Sequence, residues 1–361
     1  MKPLHRGGLA TLAWMVVWLL VLEGALYGVG HLGAQGSAGM VGLARYLEYG
    51  RSIEGKLDLA TQAPAQAGGG KVLSAGWLDP TAWQALPDGR SGKPGQPLVA
   101  VYGQSFAFRT MAWVSEQHPS LAVRKIGGPA APLTHSLEAY RLDVDRGKAQ
   151  WVVLGVLASA MGQVNALSGM AFTFESPAPY TYPALRGSEG QWQVEQPLIR
   201  TEAAFRAALA SKGPEWAQFK AQLQQANPAL DAVAMNASWA DHSAMLRMVR
   251  RGWVTSLQAE HQPAQLAPAA LQANVEALRR FKALADQRGE RLLVVVFRDR
   301  GTRPADIAPL TEVLGQLKVP LVDSLAFVNP TDARQFESDG HFKPQGERAL
   351  AEAEAATLMA P

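Results

Sequence analysis

The stretch Val99-Ala100-Val101-Tyr102-Gly103-Gln104-Ser105-Phe106 is an apolar run that ends at a glycine and delivers a serine. The pattern predicts a buried strand, a tight turn and the start of a helix, which leaves one hydroxyl group at the edge of a sheet. In open parallel α/β sheets, reactive groups collect beyond the carboxyl ends of the strands. Ser105 is therefore a candidate nucleophile. A serine at such a turn is also typical of a helix N-cap.

Further apolar runs have the length of buried strands, and helical stretches separate them. We predict strands at Leu98–Tyr102, Leu121–Ile126, Trp151–Leu157, Leu292–Phe297 and Val319–Val322. We predict helices near residues 106–117, 134–146, 271–287, 304–316 and 345–358. This alternation indicates an α/β fold with a five-stranded parallel sheet that is covered by helices on both faces.

A long insertion, roughly residues 160–270, interrupts the alternation after the third strand. It opens with aromatic residues and prolines at 172–183, which either pack a lid or stack on sugar rings. A helix capped by Thr201 and a second from Pro214 to Gln225 follow. A third is predicted over Ser243–Trp253, where Arg247, Arg250 and Arg251 form a basic side. We expect that side to be solvated; binding to anionic lipid or an acidic polymer is the alternative.

The amino-terminal segment is apolar from Leu9 to Leu22 and only weakly polar to about Leu32. Basic residues precede it, which predicts a membrane anchor with its amino terminus in the cytoplasm, or a cleaved signal peptide. Glu23 is the difficulty, because a carboxylate inside the membrane is costly unless it has a partner. We divide the chain into an anchor (1–35), a membrane-proximal collar without its own core (36–95), and an α/β domain with the insertion (96–361).

Composition excludes several classes of protein. The 34 basic and 31 acidic residues give a net charge of +3, which is too small to argue for nucleic-acid binding. The absence of cysteine excludes disulfides and thiolate metal sites. No metal-binding motif is visible, so we predict neither a metal nor a cofactor.

A second candidate motif lies near the carboxyl terminus, in Ser338-Asp339-Gly340-His341-Phe342-Lys343-Pro344. A serine is inert at neutral pH without a base and a group that orients the base. An aspartate two residues before a histidine on a glycine-bent loop can lie against the imidazole and fix its tautomer. The alternative is a solvated loop with a surface histidine.

These two blocks resemble the SGNH or GDSL-type esterases and acyltransferases. The segment 101–106 is similar to the first block of that family, with Gln104 where aspartate is usual, and 338–350 is similar to its last block. The resemblance implies a flavodoxin-like three-layer fold with Ser105 as nucleophile, His341 as general base and Asp339 as orienting acid.

The resemblance also implies an oxyanion hole. Its donors would be the backbone N–H of Gly128 or Gly127 after the second strand, and Ser159 after the third strand, where the family has asparagine. Asn165 is the alternative donor. We further expect four residues to contact the substrate: Gln104, Gly127, Phe174 and Tyr180. Two other polar residues near the strand ends are ambiguous: His135 is structural or faces the site, and Asp323 lines a pocket or caps a turn.

The predicted function is that of a periplasmic, inner-membrane-anchored serine esterase or O-acyltransferase. Its substrate would be an acyl ester, acetyl above all, of a cell-envelope or exopolysaccharide carbohydrate. Its partner would be a membrane-bound polysaccharide-modifying complex. The alternatives are a lipid or small-ester hydrolase, and a non-catalytic scaffold that binds glycan or a partner in a polysaccharide-producing complex.

Overall fold

The computed structural model describes residues 6–36, 40–62, 73–85, 96–171, 174–188, 190–227, 230–261 and 266–360. The strands, in chain order, are β1 Leu98–Gly103, β2 Ala122–Gly127, β3 Trp151–Leu157, β4 Ala184–Arg186, β5 Gln193–Glu195, β6 Arg291–Phe297 and β7 Leu321–Asp323. The helices are α1 Arg6–Ala34, α2 Val41–Tyr49, α3 Ile53–Gln62, α4 Pro80–Ala85, α5 Ser105–Gln117, α6 Leu133–Leu142, α7 Glu202–Ser211, α8 Pro214–Ala226, α9 Ala232–Met235, α10 Ala244–His261, α11 Pro268–Arg288, α12 Pro304–Gln316 and α13 Pro344–Leu358.

The main sheet has five strands in the order β2-β1-β3-β6-β7. Every neighbouring pair is parallel. Counted along the sheet, this is the 2-1-3-4-5 order of flavodoxin-like folds, in which the strand order reverses between the first and third strands. The predicted α/β class and the five-stranded parallel sheet are confirmed. A reactive group that follows β1 lies at that reversal.

Two layers of helices cover the sheet. Val99 and Val101 of β1 share a core with α5 and α13 on one face. Ala100 and Tyr102 share a core with α6, α11 and α12 on the other face. Successive side chains of a strand point to opposite faces, so a strand buried on both faces is apolar throughout. This explains why β1 appears in the sequence as a continuous apolar run.

The helix predicted over residues 134–146 ends earlier, at Leu142. The next residue, Asp143, accepts hydrogen bonds from the Arg124 side chain at 2.8 and 2.7 Å and from the Tyr102 hydroxyl at 2.8 Å, all in the interior. Arg146 forms a buried ion pair with Glu290 at 2.6 Å. Buried charges must be paired, and this network bends the chain out of the helix.

The collar and the insertion form a second core together. Ile53 and Leu57 of α3 and Trp77 are buried in the same cluster as Phe205 of α7 and Trp216 of α8. The described part of the collar therefore packs with the insertion in one core. The predicted loop at 63–71, the turns around 87–95, and Phe172 and Thr173 lie outside the described residues.

Within the insertion, the predicted cap is confirmed: the Thr201 hydroxyl oxygen accepts a hydrogen bond from the Ala204 N–H at 3.2 Å. The third predicted helix begins at Ala244 but continues past Trp253 to His261. A short antiparallel hairpin of β4 and β5 was not predicted.

Helix α1 is apolar and long enough, from Gly8 to Gly33, to cross a membrane. No other helix of the described residues meets both conditions. From Gly8 to Leu22 its side chains are exposed, and Glu23 is the first residue of α1 after these that is partly buried. Length and composition of this kind fit a membrane anchor or a signal sequence.

Candidate active site

Ser105 is the first residue of α5, directly after β1. The N-cap position belongs to Gln104, whose backbone is extended, so the Ser105 side chain is not the cap. Gly155 of β3 makes this placement possible, because a Cβ atom there would lie 2.7 Å from the Ala107 Cβ. The first turn of α5 thus packs directly on the sheet. The hydroxyl group of Ser105 is held at the carboxyl edge.

His341 meets Ser105 from the other end of the chain. Its Nε2 atom lies 2.7 Å from the Ser105 Oγ. The imidazole packs on the Phe106 ring with 4.7 Å between centroids and an angle of 31° between the planes. Phe106 also makes an edge contact with Phe342. The ring orientation of His341 is therefore set by apolar neighbours.

Asp339 lies on the other side of the imidazole. Its Oδ2 atom is 3.0 Å from His341 Nδ1, and its Oδ1 atom accepts the His341 backbone N–H at 3.1 Å. The Nδ1 contact is bent and lacks the alignment of a good hydrogen bond. The Asp339 side chain is 58% exposed. The backbone N–H of His341 is the main cause of the lowered pKa of Asp339, which keeps this carboxylate ionised.

A tight turn joins the two residues. The Glu337 N–H donates to the His341 carbonyl at 2.8 Å, and the Gly340 N–H donates to the Glu337 carbonyl at 3.1 Å. Gly340 has φ +90°, a conformation that only glycine adopts readily. Phe336 and Phe342 close the turn as a β-bridge. The glycine in Asp-Gly-His is thus required by the backbone.

Arg109 fastens this turn to the helix that carries Ser105. Its guanidinium donates to Glu337 at 3.2 and 3.3 Å and pairs with Glu347 of α13. It also contributes to the lowered pKa of Asp339. Sequence reasoning missed this residue. The available signal was its position one helical turn after Ser105, which places both side chains on the same side of α5.

The predicted oxyanion donors are less well placed. The Gly128 N–H donates to the Gly103 carbonyl at 3.3 Å, so this predicted donor has a partner within the fold. Ser159 is exposed at the end of β3, and its own N–H donates to Asp299 at 3.1 Å. The Asn165 Oδ1 atom is buried without a partner. The side chain of Gln104 does not cap α5, so the N–H groups of the first turn are further donors.

The predicted substrate-contacting aromatic residues are interior. Tyr180 is fully buried and its hydroxyl donates to the Pro129 carbonyl at 2.7 Å. Phe174 is 2% exposed, and the Lys56 ammonium lies 3.5 Å from its ring centroid. These rings offer no free face to a sugar, which agrees with packing, the first of the two alternatives given for this stretch, and gives no support to the expected substrate contact of Phe174 and Tyr180. Burying an aromatic ring among apolar neighbours is more favourable than leaving it exposed to water.

The other two predicted substrate contacts are Gly127 and Gln104. Gly127, at the end of β2, packs edge-on against β1, where a Cβ atom would collide with the Gly103 carbonyl. Gln104 is fully buried, and neither polar atom of its amide has a partner. Burial keeps the Gln104 side chain inside the protein and away from an exposed ligand.

The ambiguous polar residues are structural. His135 is buried, its Nε2 lies 2.7 Å from the Gly76 carbonyl, and burial lowers its pKa to about 4. Asp323 caps the Leu325 N–H at 2.9 Å and holds Arg298 through contacts of 2.6 to 3.1 Å. Among the described residues, no group of three or more histidine, aspartate or glutamate side chains is placed to hold a metal ion.

The basic side of α10 is not solvated. Arg247 pairs with Glu48, Arg250 with Asp241 and Arg251 with Glu175, and the three arginine side chains are 4%, 4% and 18% exposed. The prediction of a solvated basic face is wrong. The missing partners were Glu48 of the collar, Glu175 at the start of the insertion and Asp241 just before α10, and helical spacing alone does not identify them.

Comparisons with known proteins add little. A scan against protein families finds no match. A search of curated proteins finds none either. Among solved structures, the chain is similar to a crystal structure described as that of a "putative acylhydrolase" from Bacteroides fragilis. The two are 12% identical, the TM-score is 0.36, and the match covers 78% of this chain and 98% of that one. A likeness this distant does not bear on function.

Proposed function

We propose that this protein is a serine acyl-ester hydrolase or O-acyltransferase of the SGNH type, in which Ser105, His341 and Asp339 form the catalytic triad. The observation that supports the proposal is the run of contacts from the Ser105 Oγ to the His341 Nε2, at 2.7 Å, and from the His341 Nδ1 to Asp339, at 3.0 Å. Nucleophile, base and orienting acid are within reach of one another before any substrate binds.

In the first half of the reaction, the Ser105 Oγ attacks the carbonyl carbon of the ester, and its proton moves to the His341 Nε2. The tetrahedral intermediate then expels the alcohol, which takes that proton from the imidazolium. Asp339 stabilises the positive charge that His341 holds in between. The products of this half are a free alcohol and an acyl-Ser105 ester.

In the second half, water or a sugar hydroxyl attacks the acyl carbon while His341 accepts its proton and returns it to the Ser105 Oγ. Water yields a carboxylic acid, and a sugar yields a new ester. The backbone N–H groups of the first turn of α5, together with the Ser159 hydroxyl, are our proposed donors to the oxyanion. One donor of this kind is worth about 2.7 to 4 kcal/mol of transition-state stabilisation.

The proposed setting is the periplasmic face of the inner membrane, with α1 as the anchor. Basic residues before the apolar segment of α1 favour a cytoplasmic amino terminus, which leaves the remainder of the chain on the opposite side. An anchored esterase there has envelope or exopolysaccharide carbohydrates within reach, and their O-acetyl esters are the substrates that we propose. Because one fold serves many substrates, we base the proposed substrate class on the location of the protein.

The test is hydrolysis of 4-nitrophenyl acetate by the full chain in detergent, with Ser105→Ala and His341→Ala variants. Each should lower kcat/KM by about 10³-fold or more, because neither the nucleophile nor the base has a substitute. The matched control is Ser338→Ala, an exposed serine in the turn that carries His341. Equal rates in all four proteins would contradict catalysis and favour a binding scaffold.

A further inference from the structure

From Ala244 to Leu257, within the part of α10 whose side chains the structure describes, the outward face carries no charged side chain. The exposed residues of this helix up to Leu257 are Met248, Val249, Gly252, Trp253, Thr255 and Ser256. Val249 is 68% exposed and Trp253 is 54% exposed. Arg247, Arg250 and Arg251 point inward, where each has an acidic partner. A helix at a water-facing surface has the opposite arrangement, with its charges outside.

Neighbouring residues extend this apolar surface. Trp239, just before α10, is 76% exposed, and Val233 of α9 is 48% exposed. The indole N–H of Trp253 donates to Asp231 at 3.1 Å, which leaves its ring faces uncovered. We call this surface the docking face; it consists of Val233, Trp239, Met248, Val249 and Trp253. Contiguous apolar surfaces of this kind mark contact with a protein or a membrane.

The docking face begins where the protein contacts α1. The Glu23 carboxylate accepts hydrogen bonds from the N–H groups of Ala244 at 2.6 Å and Met245 at 3.1 Å, so it caps the amino-terminal end of α10. One turn further along α1, the Tyr27 hydroxyl donates to the His242 carbonyl. These contacts give Glu23 the partners that a carboxylate in an apolar helix requires.

The length of α1 sets the depth of these contacts. A hydrocarbon core of about 30 Å takes roughly 20 helical residues. A span that starts at Gly8, the first residue of the apolar segment, therefore ends near Tyr27. Any later start moves that boundary further along α1. Glu23 lies on the membrane side of that boundary. The start of α10, whose N–H groups donate to Glu23, therefore lies at the level of the lipid.

We propose that the docking face lies on the bilayer that holds α1, with Trp239 and Trp253 in the interfacial layer. The proposal rests on the proposed membrane anchor. Tryptophan is enriched at that layer because its ring is apolar and its N–H is polar. Lipid also explains why the arginines of α10 turn inward, where carboxylates neutralise them. The protein is then attached through α1 and held down beside it by α10.

The absence of native cysteine allows a direct test with single-cysteine variants of the full chain. Val249→Cys reports on the docking face, and Leu20→Cys reports on α1. Val144→Cys is the control, because Val144 is 64% exposed after α6 in the sheet domain. Each variant is labelled with the environment-sensitive dye NBD and reconstituted into vesicles of phosphatidylethanolamine and phosphatidylglycerol, with and without doxyl-labelled lipid. Thermal unfolding of each labelled variant checks that the fold is retained.

We expect blue-shifted emission at positions 249 and 20, most of which doxyl lipid quenches, and unquenched water-like emission at 144. Water-like emission at 249 with lipid quenching at 20 would overturn the docking face and leave the anchor standing. A blue shift at 249 without lipid quenching would also overturn it, in favour of a protein partner or a second copy. Absence of quenching at 20 would overturn the anchor and the docking face together. A quenched label at 249 and an equally quenched one at 144 would show non-specific adsorption, and would overturn the proposal too.

Discussion

The Oγ of Ser105 and the Nε2 of His341 lie 2.7 Å apart, although 236 positions separate these residues in the chain. The sheet holds one of them and a glycine-bent turn holds the other. Arg109 connects the helix and the turn, since it lies on the same helix as Ser105 and pairs with Glu337 of the turn and with Glu347 of α13. The short distance is therefore a property of packing across the whole α/β domain.

Asp339→Asn should lower kcat by about 10- to 100-fold, less than the loss of Ser105 or His341. The reason is that Asp339 is largely exposed and its contact with Nδ1 is bent, so solvent screens part of its effect. Steady-state kinetics with 4-nitrophenyl acetate measures this. A variant as inactive as His341→Ala would contradict it, as would one with unchanged kcat.

The lowered pKa of Asp339 fixes the sign of its pH dependence. A carboxylate with a lowered pKa contributes above its ordinary value, near 4, and loses its contribution only as the pH falls through the lowered value. The difference in unfolding free energy between wild type and Asp339→Asn, measured by urea denaturation at a series of pH values, should therefore be constant from about pH 5 upward and shrink only below about pH 4. A difference that disappears between pH 7 and pH 5 would be inconsistent with this.

Gly340→Ala should cost about 1–2 kcal/mol of unfolding free energy, because φ is +90° there. Gly301 is the matched control, since it has φ +87° in another loop and, like Gly340, has open space where a Cβ would lie. Both alanine variants should unfold at lower denaturant concentration. Only Gly340→Ala should also lower esterase activity, because that turn positions His341; equal activity in the two variants would refute the role of the turn.

Glu354 of α13 should make stability fall as pH rises. It is buried against α5, where burial raises its pKa to about 8 while the Thr110 hydroxyl donates to it at 2.9 Å. Because the folded protein holds this proton and the unfolded chain releases it near pH 4.5, stability decreases from about pH 4.5 to 8.

Glu354→Gln removes that ionisation, so its Tm advantage over wild type should grow between pH 5 and pH 8. Glu352→Gln, exposed on the same helix, is the control and should show no such trend. Thermal unfolding at a series of pH values measures both. Parallel curves for wild type and Glu354→Gln would contradict the assignment.

Glu23→Ala should destabilise the start of α10 by about 1 kcal/mol, the usual cost of losing a cap. The direct readout is hydrogen exchange in detergent, in which the amides of Ala244 and Met245 should exchange faster because they lose their acceptor. Glu116→Ala, an exposed change on α5, serves as the control. Unchanged protection at both amides would show that the Glu23 contact is not formed.

The sheet and its surrounding helices could be predicted from the sequence because local patterns determine them. Trp151–Leu157 was predicted with its observed bounds, and so was the helix over residues 304–316. Both are elements whose apolar spacing reflects burial directly. Ser105, Asp339 and His341 could be named as candidate site residues for a similar reason, since each lies in a short motif at the boundary of a predicted element.

What the sequence did not reveal depends on long-range partners. Periodicity located α10 but not which side faces inward, because arginines are buried when carboxylates such as Glu48 and Asp241 are brought to them. Tyr180 was expected to meet a ligand and instead packs against Gly76 and Gly128, two glycines that are far apart in sequence. The cap that Glu23 provides for α10 spans more than 200 positions, beyond any local signal.

The most direct test of the central claim, that Ser105 is activated by His341, is covalent labelling by a fluorophosphonate probe. An activated serine attacks the phosphorus, fluoride leaves, and a stable phosphonyl ester remains. We predict one adduct on the full-length protein, located by mass spectrometry to the peptide that contains Ser105 and absent from His341→Ala and from denatured protein. An unmodified native protein, or equal labelling of Ser105 in His341→Ala, would contradict the account.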